Sequence, residues 1–282
     1  MPEGDTIFRA ARTLQRALAG RTVTRFESVL PALSRVDEDA PIAGRLVERV
    51  WAHGKHLLMA FSGDLVLRTH MRMNGSWHIY RIGEAWRRPR RDMRAAIHTD
   101  PFVAVAFNVP VAELVRGSSL DRHEPLARLG PDVLGDDFSE PDARARLRSR
   151  GAAGIGDALL DQSALAGIGN VYKSEICFLC GVHPFTPVAS LSDDRLDALV
   201  TTARRLMQAN VTDASGGGIV TYTGFRRTTG RSDPGARLWV YGRRGRPCRR
   251  CGTAIESRKQ GLDARTTYWC PRCQPAPEVA DR

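Results

Sequence analysis

Apolar positions recur at helical spacing at the start of the chain and at strand spacing after it. Ile7, Leu14 and Leu18 share one helical face, which predicts an amphipathic helix over residues 5–20. Short alternating or continuously apolar runs then predict strands, which cover residues 22–26, 46–50, 57–61, 65–67, 77–80, 95–98 and 103–107. A basic loop without periodicity, residues 86–91, interrupts them. The chain before position 130 is therefore expected to be β-rich, with a helix at its start.

The pattern becomes helical after Gly130-Pro131. Gly or Pro residues separate four segments of helical character, at residues 142–150, 157–160, 171–180 and 192–209. A glycine-rich stretch at residues 215–218 then opens an arginine-rich segment, and residues 274–282 are expected to be a frayed tail. We expect three domains, at residues 1–130, 131–225 and 238–275.

The chain is basic, and its positive charge is concentrated near the C-terminus. Its 282 residues hold 42 Lys and Arg against 31 Asp and Glu, a formal net charge of +11. Residues 221–273 alone carry a net +10, which predicts a polyanionic partner, with nucleic acid favoured over a membrane surface. No apolar stretch approaches the ~18 residues of a membrane span, and the acidic N-terminus carries no signal region. We therefore expect a cytoplasmic protein without membrane association.

Lysine is rare in this chain, which contains only Lys55, Lys173 and Lys259. A GC-rich genome accounts for most of the preference for arginine. A lysine that persists against this bias marks a position where the chemistry needs a proton that can be released, because arginine keeps its proton near neutral pH. The three lysines are therefore candidate functional residues.

Four cysteines form two C-x₂-C pairs separated by an 18-residue spacer: Cys248, Cys251, Cys270 and Cys273. Each pair offers two thiolates to one tetrahedral ion, and the spacer suits a β-hairpin that returns the second pair to the first. Four sulfurs fill the coordination sphere, so we expect one structural zinc ion. Two disulfides are the disfavoured alternative, because nothing in the sequence indicates an oxidising compartment. Cys177 and Cys180 lie in an apolar segment and are expected to be core residues.

Pro2 and Glu3 follow the initiator methionine directly. Removal of Met1 would leave a free secondary amine, and an α-amino group titrates near ~7.7–8.0, so a useful fraction is unprotonated at neutral pH. Such an amine can attack an electrophilic sugar carbon and form a charged iminium, while the adjacent carboxylate serves as general acid and base. Taken alone, the two residues are a weak signal, because proline at position 2 is commonplace and both residues fit a plain lead-in to the helix.

Five motifs together resemble the formamidopyrimidine-DNA glycosylase / endonuclease VIII family of base-excision repair enzymes. They are the N-terminal MPEG, GKHLL from Gly54, LARLGPDVL from Leu126, LLDQSALAGIGNVY from Leu159, and the segment from Val240 to Cys273. The resemblance covers residues 1–273. It implies an α+β fold with an N-terminal β-sandwich and flanking helices, a helical helix–two-turn–helix domain, and a four-cysteine β-hairpin zinc finger.

The resemblance also implies catalytic roles. Pro2 matches the family's Schiff-base nucleophile, and Glu3 matches the residue that protonates the opening deoxyribose ring. Lys55 matches a lysine that assists proton transfer and grips a phosphate next to the lesion. Arg265 matches the arginine at the tip of the finger hairpin, which contacts phosphates of the extruded nucleotide and is linked to the second elimination.

Three further residues are expected to contact DNA through its backbone. Asn170, in the helix–two-turn–helix motif, matches a ligand of the phosphate beside the lesion, and Lys173 one helical turn later adds to that grip. Arg128 aligns with a DNA-contacting arginine of the endonuclease VIII branch.

Enzymes of this family swing the target nucleotide out of the duplex, so a side chain must fill the gap. Arg72, Met73 and Asn74 are expected to do so from a single loop, as in the endonuclease VIII branch. That branch fits better because a plain strand at residues 102–107 replaces the Arg-x-Phe loop of the other branch. Asn74 stands where a tyrosine is usual and cannot stack on bases comparably. We therefore expect a preference for lesions in single strands, bubbles or forks, where extrusion of the nucleotide costs less.

We therefore expect a bifunctional DNA glycosylase and abasic-site lyase that excises oxidised pyrimidines and nicks the strand by β,δ-elimination. Two alternatives stay open: a glycosylase of the same family for oxidised purines (8-oxoguanine or formamidopyrimidine), and a non-catalytic damaged-DNA-binding zinc protein. The expected partner is DNA containing oxidised bases or abasic sites, and the expected cofactor is one structural Zn²⁺, with no organic cofactor. We expect a nucleoid-associated monomer in the bacterial cytoplasm.

Overall fold

The computed structural model describes residues 2–212, 226–229 and 234–276. Backbone proximity divides these residues into two compact units, one formed by residues 2–127 and the other by the described residues from 128 onward. Within these ranges, no helix is both long enough and apolar enough to cross a membrane. The glycine-rich stretch at residues 215–218 and the last six residues of the expected tail lie outside the described residues.

The first unit combines helices with two antiparallel sheets. Its helices are α1 (Gly4–Leu18), α2 (Pro31–Asp39) and α3 (Glu124–Ala127), with 3₁₀ turns at Arg90–Asp92 and Gly117–Arg122. Its strands are β1 (Val23–Ser28), β2 (Val47–His53), β3 (His56–Phe61), β4 (Leu65–His70), β5 (Ser76–Arg81), β6 (Met93–Thr99), β7 (Phe102–Phe107) and β8 (Val111–Arg116). The sheets have the strand orders β1-β6-β7-β5 and β2-β3-β4-β8.

One apolar core lies between the two sheets and under α1. Leu14 and Leu18 of α1 share this core with Leu57 of β3, Leu67 of β4 and Ile97 of β6, and all five side chains are fully buried. Burial of such side chains is worth about 1.5–3 kcal/mol each, which makes this core the main stabilising feature of the unit. The unit is therefore the predicted β-sandwich with flanking helices.

The second unit is helical and ends in a small hairpin. Its helices are α4 (Glu140–Arg148), α5 (Ile155–Leu160), α6 (Asn170–Leu179) and α7 (Asp193–Thr212), with 3₁₀ turns at Val188–Ser190 and Pro234–Ala236. Its strands β9 (Glu256–Gln260) and β10 (Arg265–Trp269) pair antiparallel. Leu159, Ile176 and Leu199 belong to the main core, and Phe178 and Val240 belong to a second cluster that joins α6 to the finger.

The structure departs from the sequence-based expectations in several places, and β8 and α3, for example, were not predicted. The segment 31–39 forms helix α2 inside a region predicted to contain strands only, because Pro31 starts a helix in which Leu33 alone is buried, too few apolar positions to show a period. The expected frayed tail is wrong for Gln274, which is fully buried. Its amide donates to the Val182 carbonyl at 2.8 Å and accepts the Cys270 N–H at 2.9 Å.

Candidate functional site

Pro2 and Glu3 stand directly before helix α1. The Glu3 carbonyl accepts the N–H groups of Thr6 and Ile7 at 2.9 and 3.1 Å, so the backbone of Glu3 starts the helix. The Glu3 side chain is fully buried, whereas Pro2 is half-buried. The first turn of a helix is electropositive, which favours a carboxylate at this place. Helix α1 therefore holds the buried carboxylate of Glu3 in the residue that directly follows Pro2.

Residues 71–75, here called the wedge loop, connect β4 to β5 and present three side chains to solvent. Met71 is buried and anchors the loop, while Arg72, Met73 and Asn74 are exposed, with 56% of Met73 accessible. The Gly75 N–H donates to the Met71 carbonyl at 2.9 Å, and a Cβ on Gly75 would lie 2.5 Å from that oxygen. Only glycine therefore closes this turn, which gives the exposed methionine a rigid mount.

The wedge loop lines one side of a concave surface that encloses a volume of about 410 Å³. Arg94, Asn108 and Pro110 line the rest of it. Asn108 directly follows β7, has a φ of +50°, and donates its N–H to the Asp92 carbonyl at 2.8 Å. As expected from the sequence, β7 itself is a plain strand. Neither Arg94 nor Asn108 carries a local sequence signal that would have assigned it to this surface.

Lys55 lies in the tight turn between β2 and β3. His53 and His56 pair across a two-residue loop, in which Gly54 has a φ of +57°, a conformation that glycine adopts without strain. Burial, and then the charges of Arg72 and Lys55, lower the pKa of His70 to about 4. Lys55 and the start of the wedge loop therefore share one electropositive environment.

A histidine and arginine cluster adjoins Lys55, and no sequence motif indicated it. The rings of His56 and His70 meet edge-on, with their centroids 4.9 Å apart. Arg68 donates to His56 Nδ1 at 2.7 Å and pairs with Glu113 at 2.9 Å. Burial, then the charges of His70 and Arg68, lower the pKa of His56 to about 3, so it is neutral at pH 7. The Arg72 N–H donates to His70 Nδ1 at 3.1 Å, which leaves the His70 proton on Nε2.

Two turns connect α5 to α6 in the second unit, as the predicted helix–two-turn–helix motif requires. Gln162 holds the turns together: its Oε1 accepts the Gly167 N–H at 3.1 Å, and its Nε2 donates to the Ile168 carbonyl at 3.0 Å. Gly167 has a φ of +101°. Gly130 packs against the same turns, because a Cβ there would lie 2.6 Å from the Ala164 carbonyl oxygen.

Asn170 is the first residue of α6 and is almost fully buried. Its Nδ2 donates to the Thr266 carbonyl at 2.8 Å, and its Oδ1 has no hydrogen-bond partner within the described part of the chain. An amide nitrogen carries two hydrogens, so one donor remains for an anion. The helix N-terminus adds its own attraction for negative charge at this position.

Lys173 is fully buried, one helical turn after Asn170. Its Nζ donates to Thr267 Oγ1 at 2.6 Å, and that hydroxyl donates to Gln260 Oε1 at 2.8 Å. The Tyr268 N–H donates to Ser174 Oγ at 3.4 Å. Helix α6 therefore bonds to three consecutive residues of β10, directly after Arg265. The sequence predicted that Lys173 would contact a phosphate of the DNA. Lys173 instead lies in the interior of the unit and not at a surface that a phosphate could reach.

Glu175 connects α6 to the chain that leads into the finger, and nothing in the sequence singled it out. Its fully buried carboxylate accepts the N–H groups of Trp239 at 2.8 Å and of Val240 and Tyr241 at 2.9 Å each, and also the Thr228 hydroxyl. A buried charge requires such partners. All of its partners lie at least 53 residues further along the chain, so no local pattern reveals it.

Arg265 starts β10 beside the hairpin tip. Its side chain is 42% exposed and lies 3.7 Å from the Asp263 carboxylate. The hairpin tip packs closely against α5, since a Cβ on Gly261 would lie 2.5 Å from Asp157 Oδ1. Gly261 also has a φ of +69°. Arg128 is exposed at the start of the second unit.

The four finger cysteines gather their sulfurs at one point, with all four Sγ atoms within 4.8 Å of one another. The Cys251–Cys270 and Cys248–Cys273 separations are 3.4 and 3.9 Å. Tetrahedral zinc with ~2.3 Å bonds has sulfur separations of about 3.8 Å, so the residues fit one ion. All four are free in the structure, in agreement with one shared ion and not with two disulfides.

The remaining cysteine pair, Cys177 and Cys180, does not belong to this group of four sulfurs. Burial raises the pKa of Cys177 to about 12, and Cys180 is half-buried at the end of α6. A thiol with so high a pKa is unreactive. Cys177 is a core residue, as the sequence indicated.

Three family models match the chain: the formamidopyrimidine-DNA glycosylase N-terminal domain at residues 1–110, the formamidopyrimidine-DNA glycosylase H2TH domain at 129–222, and the zinc finger found in FPG and IleRS at 245–276. "Probable endonuclease 8 2" of Streptomyces coelicolor is 43% identical over 100% of this chain and 98% of that protein. "DNA-(apurinic or apyrimidinic site) lyase Nei2" of Mycolicibacterium smegmatis is 38% identical over 98% of this chain and 100% of that protein. The structure of MutM in complex with carbocyclic 8-oxo-G containing DNA has the same fold, with a TM-score of 0.81 at 23% identity over 98% of this chain and 100% of that one.

Proposed function

The chain belongs to the formamidopyrimidine-DNA glycosylase / endonuclease VIII family, and from this premise we propose that Pro2 is its catalytic nucleophile. Its activity is that of a DNA glycosylase and abasic-site lyase of base-excision repair. One observation carries the proposed chemistry: the half-buried Pro2 stands next to the fully buried carboxylate of Glu3 at the start of α1.

The proposed reaction begins when removal of Met1 exposes the secondary amine of Pro2. The amine attacks C1′ of the damaged nucleotide, and the bond to the base breaks with its electron pair leaving on the base. Glu3 accepts the proton that the Pro2 nitrogen loses after the attack and returns it to O4′ as the C1′–O4′ bond breaks, which leaves an iminium between the Pro2 nitrogen and C1′. The iminium acidifies C2′, so loss of a C2′ proton expels the 3′ phosphate, and a second elimination expels the 5′ phosphate. Lys55 assists proton transfer and binds the neighbouring phosphate.

The second unit contributes phosphate ligands. Asn170 offers the second hydrogen of its amide at a helix N-terminus, and the exposed Arg128 and Arg265 offer guanidinium groups. Lys173 does not contact DNA in this proposal. Its ammonium donates to Thr267, two residues after Arg265, and so helps to hold Arg265 in position. We assign Lys173 a positioning role in place of a direct grip on DNA.

The finger cysteines hold one Zn²⁺ in this proposal. A four-thiolate site has no open coordination position, so the metal stiffens the hairpin and supplies no catalytic chemistry. The residues themselves position Arg265: the hairpin strands β9 and β10 pair in register, and Gln260 bonds to both the Pro184 carbonyl and Thr267. No organic cofactor is needed by any step.

Oxidised pyrimidines are the proposed substrates. A single loop supplies Arg72, Met73 and Asn74, as in the endonuclease VIII branch, and β7 leaves no Arg-x-Phe loop. Met73 is unbranched and exposed, so it can fill the gap left by an extruded nucleotide. We further propose that the protein works as a monomer on nucleoid DNA. The proposed location is a bacterial cytoplasm, since the similar proteins are bacterial.

The experiment that tests this function compares Glu3→Gln with Glu38→Gln, the same change at an exposed position on α2. Glu3→Gln is expected to lower excision of thymine glycol from duplex DNA by about 10²–10⁴-fold, the usual effect of a general acid. It should still be trapped by borohydride on a preformed abasic site, where part of the sugar is already the open-chain aldehyde. Full excision by Glu3→Gln, or no trapping of the unmodified chain, would contradict the proposal.

Substrate choice is tested with the unmodified chain. Faster excision of thymine glycol than of 8-oxoguanine supports the pyrimidine assignment, and the reverse order supports the purine alternative. Binding without any strand scission would favour the non-catalytic alternative. Faster excision from a bubble than from a matched duplex is expected if Asn74 opens the duplex poorly, and equal rates would contradict that expectation.

A further inference from the structure

The loop between β5 and β6 carries arginines that the proposed chemistry does not use. Residues 87–91, here called the arginine loop, contain Arg87, Arg88, Arg90 and Arg91. Arg90 is paired, since it donates to a Glu27 carboxylate oxygen at 2.7 Å. The guanidinium groups of the other three form no ion pair with any residue in the described ranges. Two of these three arginines are exposed and the middle one is half-buried.

An aromatic cluster holds the start of this loop in place. Trp86 stacks on Tyr80 with ring centroids 6.3 Å apart and meets Phe107 edge-on at 5.7 Å. The Tyr80 hydroxyl accepts the Arg87 N–H at 3.0 Å and lies 2.8 Å from His78 Nδ1. Because the loop is fixed before any ligand arrives, binding to its cations costs less conformational entropy than binding to a flexible basic loop.

The far end of the arginine loop meets the concave surface beside the wedge loop. Arg94 donates to the Arg91 carbonyl at 3.0 Å, and Arg94 lines that surface together with Arg72. The sheet register explains this proximity, because the first residues of β5 and β6, Ser76 and Met93, both pair with Phe107. The wedge loop and the end of the arginine loop therefore lie at the same end of one sheet.

We propose that the arginine loop is a second phosphate-binding surface, which holds the DNA backbone beyond the nucleotides that the wedge loop contacts. A guanidinium stays charged at all physiological pH values and matches two phosphate oxygens at once. Arg87, Arg88 and Arg91 are unpaired, whereas Arg90 is neutralised, so the free cations favour a polyanion over a surface of mixed charge. The inference rests on the proposed function, because it takes DNA seated at the wedge loop as its starting point.

The test replaces the three unpaired arginines in the full chain. Arg87→Gln/Arg88→Gln/Arg91→Gln is compared with a control that changes three exposed arginines elsewhere in the first unit, Arg16→Gln/Arg35→Gln/Arg122→Gln. Affinity for a duplex with a stable abasic analogue is measured over a range of salt concentrations. Each phosphate contact contributes about 0.9 to the slope of log K against log salt, so the loop variant is expected to lower the slope by about 2–3. The control should lower it by less than about 1.

Two further measurements complete the test. The matching variant with three lysines keeps the charge and is expected to keep the slope. Borohydride trapping at saturating DNA is expected to be the same in the loop variant and the unmodified chain, because the loop takes no part in the chemistry. An unchanged slope in the loop variant, or an equal loss in the control, overturns the proposal. Failure of the unmodified chain to be trapped would instead count against the proposed function.

Discussion

Replacement of Glu175 by alanine is expected to release residues 239–241, which lead into the finger, from helix α6. The carboxylate accepts hydrogen bonds from the backbone of Trp239, Val240 and Tyr241 and from the Thr228 hydroxyl. Glu175→Ala leaves the three backbone donors without an acceptor, while the Thr228 hydroxyl keeps the Arg237 carbonyl at 3.4 Å. Each buried unsatisfied donor costs about 1–3 kcal/mol. A total of about 3–9 kcal/mol is comparable with the whole stability of a domain, so the local structure should open.

The assay measures thermal stability and the rate at which a chelator removes metal from the full chain. Glu175→Gln keeps the shape and one acceptor oxygen but turns an NH₂ toward backbone donors, so its expected cost is smaller, about 2–4 kcal/mol. Glu256→Gln, at an exposed position on β9, is the control for the same chemical change. Metal release should be fastest for Glu175→Ala, intermediate for Glu175→Gln and unchanged for the control. If Glu175→Ala melts and releases metal like the control, the clamp described here is refuted.

Three other changes test separate parts of the structure. Lys173→Met and Thr267→Val should each lower the yield of the second elimination and leave the salt slope of DNA binding unchanged; a slope reduced by about 1 would instead mean a direct phosphate contact. Gly261→Ala should cost about 1–3 kcal/mol, because its Cβ would meet Asp157 and its φ is left-handed, and an unchanged melting temperature would contradict this. Burial, then the charges of Arg88 and Arg87, lower the pKa of His78 to about 3. Since this value lies below that of the unfolded chain, the contribution of His78 to stability is complete above about pH 6.5 and falls by about 2 kcal/mol at pH 5. His78→Asn should weaken that pH dependence, and an identical dependence in both proteins would show that His78 is not its source.

Local patterns were sufficient where the chemistry depends on spacing. The four finger cysteines share one metal because two C-x₂-C pairs and a hairpin-length spacer allow little else, and the structure confirms their convergence. The alternation of apolar residues likewise predicted most strands of the sandwich, because each strand buries one face.

Long-range partners account for what the sequence did not reveal. The burial of Lys173 depends on Thr267, and the four bonds of Glu175 depend on residues at least 53 positions further along the chain. Nothing near either residue indicates a partner so distant. The mount of the arginine loop was missed for the same reason, because Trp86 packs on Tyr80 and Phe107, which lie on two different strands.

The central claim is that the secondary amine of Pro2 forms the covalent link to DNA. Borohydride reduction of the full chain on an abasic strand, followed by proteolysis and tandem mass spectrometry, locates the sugar remnant directly. The expected product lacks Met1 and carries the adduct on the Pro2 nitrogen. An adduct on Lys55, or fully active protein that retains Met1, would contradict the account.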